Sequence, residues 1–168
     1  MKTELFNKLN ILLYYEQHDE ARKLIIEAIK SFVEGLTEDN VYSQVKLHCF
    51  LIDIGCDCKN EGDLVQGIAF FETNETFLQK HFTKSSYYYN LANAKHGLAR
   101  IFWSNNPGVH QITTIKEFFH EPIRVYWLAY KNLKDSDTSL LHQILINLSN
   151  SLVDCGRLVE GLQYFTSR

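Results

Sequence analysis

Tyr88–Lys95 reads YYNLANAK and Leu145–Leu152 reads LINLSNSL. Both carry Asn-Leu-small-Asn-small in a helix-like context. The second runs into Val153–Phe165, VDCGRLVEGLQYF, a tight turn followed by a new amphipathic run. Internal repetition decides the fold before any single residue does. A helix–turn–helix unit that recurs cannot bury its apolar face alone, so it stacks on its neighbours and leaves a groove.

Helical spacing of apolar residues extends this pattern in both directions. Leu5, Leu9, Leu12 and Leu13 predict a first helix. Ala21, Leu24, Ile25, Ala28, Ile29 and Phe32 predict its partner, giving a hairpin over residues 3–35 with Asp19 as a cap and Gly35 as a stop. Residues 39–59 form a longer helix through Val41, Val45, Leu47, Leu51, Ile54 and Cys58. A turn at Asn60-Glu61-Gly62-Asp63 leads into the next helix, with residues 74–83 either its continuation or a short extra helix. Residues 85–103 and 113–133 make a third hairpin with a long link centred on Pro107-Gly108 and a bend near His120–Pro122. Residues 139–154 and 157–165 make the fourth. No strand pattern of useful length competes.

Composition fits one helical domain. The chain has 168 residues, 45% of them hydrophobic and 22% charged, which excludes disorder and argues against a membrane-bound class. Two prolines leave room for long helices. The net charge of -3 and the lack of a Lys/Arg block argue against nucleic acid as partner. The N-terminal apolar stretch is too short and interrupted for a signal peptide or a span, so a cytoplasmic location is expected. The cysteines (49, 56, 58 and 155) lack metal-knuckle spacing and read as reduced and mostly buried.

The fourth hairpin resembles a tetratricopeptide repeat (TPR) through Leu145, Leu148, Ser149, Leu152, Gly156, Gly161 and Phe165. The second is similar at Leu51, Ile54, Gly55, Gly62, Gly67 and Phe71. The third matches at Tyr88, Leu91, Ala92, Tyr126 and Ala129 and departs at Pro122. The first matches at Ala21, Ile25 and Ala28. The resemblance implies an all-α fold, a right-handed superhelix of antiparallel helix hairpins with about four repeats. A single TPR-like domain spans 1–168, expected to be the N-terminal part of a longer protein because no polar-faced closing helix follows the last hairpin.

In that family the first helix of each repeat lines a concave groove, and asparagines there grip the backbone of an extended peptide. One amide offers both donors and an acceptor, which suits a peptide group. By resemblance the groove candidates are Asp53, Asn90, Asn93, Asn147 and Asn150, with His96 and Arg100 adding positive charge one turn apart. A carboxylate clamp is not implied, because Tyr89 and Ile146 stand where its first lysine would be sought. The aromatics at 87–89, 118–119 and 126–130 read mainly as core, and the 104–113 link as a tolerated surface insertion or a lid over the groove. The HExxH, GxSxG and Gly-rich phosphate motifs are absent, so no enzyme activity and no cofactor is expected. His110, Glu117, His120 and Glu121 form a cluster that reads as solvent-facing, with no metal expected. The implied function is a non-enzymatic interaction module for a peptide or partner protein, including its own C-terminal domain. The alternative is a regulatory sensor of a small molecule or signalling peptide. A homodimer through the last hairpin is a further expected partner.

Overall fold

The computed structural model describes residues 2–106, 112–134 and 136–166. Among these the chain is all-α, with nine helices and no strand. They are α1 (Lys2–Tyr14), α2 (His18–Lys30), α3 (Val41–Asp57), α4 (Glu61–Thr73), α5 (Glu75–His81), α6 (Lys84–Asn105), α7 (Ile112–Lys131), α8 (Thr138–Asp154) and α9 (Leu158–Thr166). The heart of the 104–113 link, Pro107-Gly108, lies outside the described residues, and so does His110.

Three of the hairpins turn in the same way. A residue with left-handed backbone follows the first helix, at Glu16 (φ 55°), Lys59 (φ 54°) and Gly156 (φ 82°). The next amide then reaches back five residues. Gln17 N–H donates to the Leu12 carbonyl, Asn60 N–H to Gly55 and Arg157 N–H to Leu152, each at 2.8 Å. These bonds satisfy carbonyls that the helix end would orphan. Glu16 and Lys59 accept a conformation that costs an L-residue about 1–2 kcal/mol.

Two predicted end signals act differently. Gln17, not Asp19, occupies the N-cap of α2; Asp19 sits in the first turn, where its charge meets the positive helix end. α2 stops at Lys30, short of Gly35. Gly35 (φ 73°) instead shapes the approach to α3, its carbonyl accepting from Asn40 Nδ2 at 2.9 Å and Gln44 Nε2 at 2.8 Å. The segment after α4 is a separate helix, α5, rather than a continuation.

The chain divides into two compact units, residues 1–67 and 68–168, with the division inside α4. In the first unit, Leu9 and Leu12 of α1, Ala21 and Ile25 of α2, and Leu47, Leu51 and Ile54 of α3 form one buried cluster. The start of α4 crosses α3 closely. A Cβ on Gly67 would stand 2.5 Å from Ile52 Cγ1, and one on Gly55 would stand 3.0 Å from Leu64. Asp63, 1% exposed, is held by a bidentate pair with Arg22 of α2.

In the second unit α6 packs on α7, α7 on α8 and α8 on α9. Tyr87, Leu91, Phe119, Tyr126, Ile144, Leu148 and Leu152 are buried there. Small residues of the repeat pattern serve close crossings: buried Ser149 donates its hydroxyl to the Gly161 carbonyl at 2.6 Å, and the Ala129 carbonyl accepts from buried Ser85, outside the pattern, at 2.8 Å. α7 runs on through the buried Pro122.

The expectation of mostly buried cysteines needs correction. Cys155 is buried and Cys49 half-buried, but Cys56 and Cys58 are exposed, because the C-terminal end of α3 leaves the core there. On α9, Leu158 and Val159 are exposed, and the expected homodimer contact would have to rest on such side chains.

Candidate functional site

Tyr89 and Asn93 are four residues apart on α6 and share a face. They meet Tyr126 of α7 and Asn147 of α8 in one polar cluster. Tyr126 is 1% exposed, and its hydroxyl donates to Asn93 Oδ1 at 2.7 Å. A buried hydroxyl without an acceptor would cost about 1–3 kcal/mol, so Asn93 has a structural duty. The same oxygen accepts from Asn147 Nδ2 at 3.0 Å, and Asn147 Nδ2 also donates to the Tyr89 hydroxyl at 3.1 Å. This arrangement joins the first helices of two consecutive hairpins. Among the described residues, Asn93 Nδ2 and Asn147 Oδ1 are not used in the cluster, which leaves one amide donor and one amide acceptor beside each other's partners.

The other predicted positions fare differently. Asn90 donates to the Ser86 carbonyl of its own helix at 3.0 Å, and Asn150 is exposed. His96 is 9% exposed and packs edge-on against Phe119 and Tyr126. Its Nε2 lies 2.9 Å from Asp154 Oδ2, with Arg100 Nε 3.4 Å from the same oxygen. His96 and Arg100 therefore converge on one carboxylate at the end of α8, and tie α6 to it.

Asp53 belongs to the first unit. Its side chain is exposed, yet the protein crowded around it, and secondarily Asp57 one turn on, push its carboxyl up to about 6. One turn back, burial and then the charge of Asp53 push the Cys49 thiol up to about 12. A carboxyl raised in the fold binds its proton more readily there than in the unfolded chain. Stability from this group is therefore full at and below about pH 4 and is lost as pH rises through about 6. Asp53→Asn should remove that slope. Because the carboxylate is open to water, the gain over wild type at neutral pH should be about 0.5–1 kcal/mol. Urea unfolding of both proteins near pH 4.5 and pH 7.5 checks it; a constant difference would show that Asp53 titrates alike folded and unfolded.

A chain of charges crosses the second unit. Lys95 Nζ lies 2.7 Å from Glu72 and 3.6 Å from Glu121, and Glu121 takes a bidentate pair from Arg124 at 2.8 Å. Arg124 first, then Lys95, hold the Glu121 carboxyl below its ordinary value. Glu117 and His120 are exposed on α7, and among the described residues no three His, Cys, Asp or Glu side chains converge as metal ligands. Among them, too, no helix is long and apolar enough to cross a membrane.

Sequence reading missed the two tyrosines, Tyr89 and Tyr126, as members of the polar cluster. The four-residue spacing of Tyr89 and Asn93 was the available signal. The class that fold and site define is an all-helical protein of packed helix hairpins. Comparison with protein-family models, characterised proteins and solved structures gave no match.

Proposed function

We propose that the chain is a non-enzymatic protein-interaction module. Its hairpins stack as a TPR-type right-handed superhelix, and the surface bearing Tyr89, Asn93 and Asn147 binds the main chain of an extended peptide or partner segment. The Asn93–Asn147 contact carries this reading. It fixes two amides from consecutive hairpins by their mutual bond and leaves a donor on one and an acceptor on the other. A peptide group presents the complementary pair, and pre-set amides lose little side-chain freedom on binding. Asp53 enters this reading only through its place in the repeat pattern.

The test begins with selection of binders from a displayed random-peptide library. Asn147→Ala should weaken a selected peptide about tenfold, the loss of one to two hydrogen bonds. Replacing the gripped peptide amide by an ester should weaken wild type but not the variant. The exposed Asn150→Ala should have the smaller effect. Thermal unfolding by circular dichroism verifies that each variant is folded. Should no peptide be selected, or should Asn147→Ala bind as wild type does, the backbone grip is wrong.

A further inference from the structure

A second candidate site lies on other residues of the second unit, between α7 and the start of α9. His120, Ile123, Arg124, Trp127, Lys131 and Arg157 surround an open cleft of about 480 Å³. The four α7 positions His120, Arg124, Trp127 and Lys131 recur at helical spacing and form one stripe. Its floor is apolar: Ile123 is buried, and Trp127 is half-buried, braced edge-on by Tyr130 and Tyr164. Its rim is cationic, with Arg124, Lys131 and Arg157 exposed.

The carboxylates at this rim matter as much as the cations. Glu121 takes Nε and Nη2 of Arg124, and Glu160 takes Nε and Nη2 of Arg157. Each pair orients its guanidinium and leaves the Nη1 edge for another acceptor. Among the described residues Lys131 has no carboxylate partner within ion-pair distance, so the rim keeps a positive excess. A braced indole beside oriented cations suits a flat ring that carries a negative group. The volume matches the roughly 300–1,000 Å³ of small-molecule sites.

We infer that this cleft binds a small planar anion, an aromatic ring bearing a carboxylate or a phosphate. The ring lies on Trp127 and Ile123, and the anionic group meets Lys131 and the Nη1 edges of Arg124 and Arg157. The site is independent of the Asn93–Asn147 cluster, which shares none of its residues.

Two tryptophans in the chain make the test direct, since each gives one indole N–H resonance. The probes are 2-naphthoate, 2-naphthyl phosphate and the neutral 2-naphthamide, titrated into the whole chain, with Trp127→Phe used to assign the signals. At least one anion should shift the Trp127 resonance saturably at low-millimolar concentration or below. The neutral amide should bind at least about tenfold more weakly. The tighter of the two anions identifies the head group. Lys131→Glu reverses an exposed charge without touching the core, and should weaken the anion about five- to tenfold. Arg157→Gln should weaken it as well, and so should added salt. The inference fails if neither anion gives a saturable shift, if the amide binds equally well, or if Lys131→Glu leaves the affinity unchanged.

Discussion

Replacing Arg22 by methionine should destabilise the protein by about 3 kcal/mol, near the lower end of the range for breaking a buried ion pair. The carboxylate of Asp63 is almost wholly buried, its side chain 2% exposed, and Arg22 Nε and Nη2 reach its two oxygens at 2.6 and 2.7 Å. Methionine retains an apolar stem of similar reach but removes every donor. The carboxylate then stays in the protein without a counter-charge. Arg22 itself is 37% exposed, so water entering its place limits the loss. The pair joins α2 to α4 across 41 residues, and its failure should loosen the first hairpin from the second. Asp63→Asn removes the buried charge and should restore part of the stability when added to Arg22→Met. Urea unfolding of wild type, both single variants and the double variant measures this. An Arg22→Met protein within about 1 kcal/mol of wild type would mean that water solvates Asp63 adequately.

The hairpin architecture was legible in the sequence because apolar spacing and turn signals agree with one another. The apolar residues of α1 to α3 recur at three and four, and the same residues form the buried cluster of the first unit. Helix ends were less legible. Glu16 and Lys59 adopt left-handed backbone although neither is glycine, because the back-bonds to Leu12 and Gly55 repay the strain. Asp19 looked like a cap, but a residue in the first turn gains from the helix dipole without capping.

The candidate site was legible only in part, since spacing gives a face and not a partner. Asn90, Asn93, Asn147 and Asn150 repeat as matched pairs in sequence. In three dimensions Asn93 meets Asn147, the unmatched combination. His96 and Arg100 were read as positive charge beside the groove, but His96 is buried and both reach Asp154 of α8, which for His96 is a contact 58 residues distant that no local pattern announces. The stripe on α7 went unread because Trp127 was grouped with the core aromatics, and Arg157 reaches it only through the fold.

Gly67→Val should destabilise the protein by about 2–3 kcal/mol through overpacking. Here space decides, not backbone freedom. The new Cβ would stand 2.5 Å from Ile52 Cγ1 and 2.9 Å from Ile52 Cδ1. Ile52 is 1% exposed, and its Cγ1 is too near the backbone to swing aside. Valine is a better helix former than glycine by about 0.5 kcal/mol, which offsets little of this. Gly62→Ala, in the first turn of the same helix, is the matching control. Its Cβ would meet only Asn60 Oδ1 at 3.4 Å, so the propensity gain of up to about 1 kcal/mol should survive there. The effects also couple. Ile52→Ala alone opens a cavity, and Gly67→Val fills the same space from the opposite helix, so the double variant should lose about 1 kcal/mol or more less than the sum of the single losses. Additive losses would mean that α4 shifts away from α3 to admit the new side chain. The close crossing at Gly67 would then be a preference of this packing, not a requirement of the second hairpin.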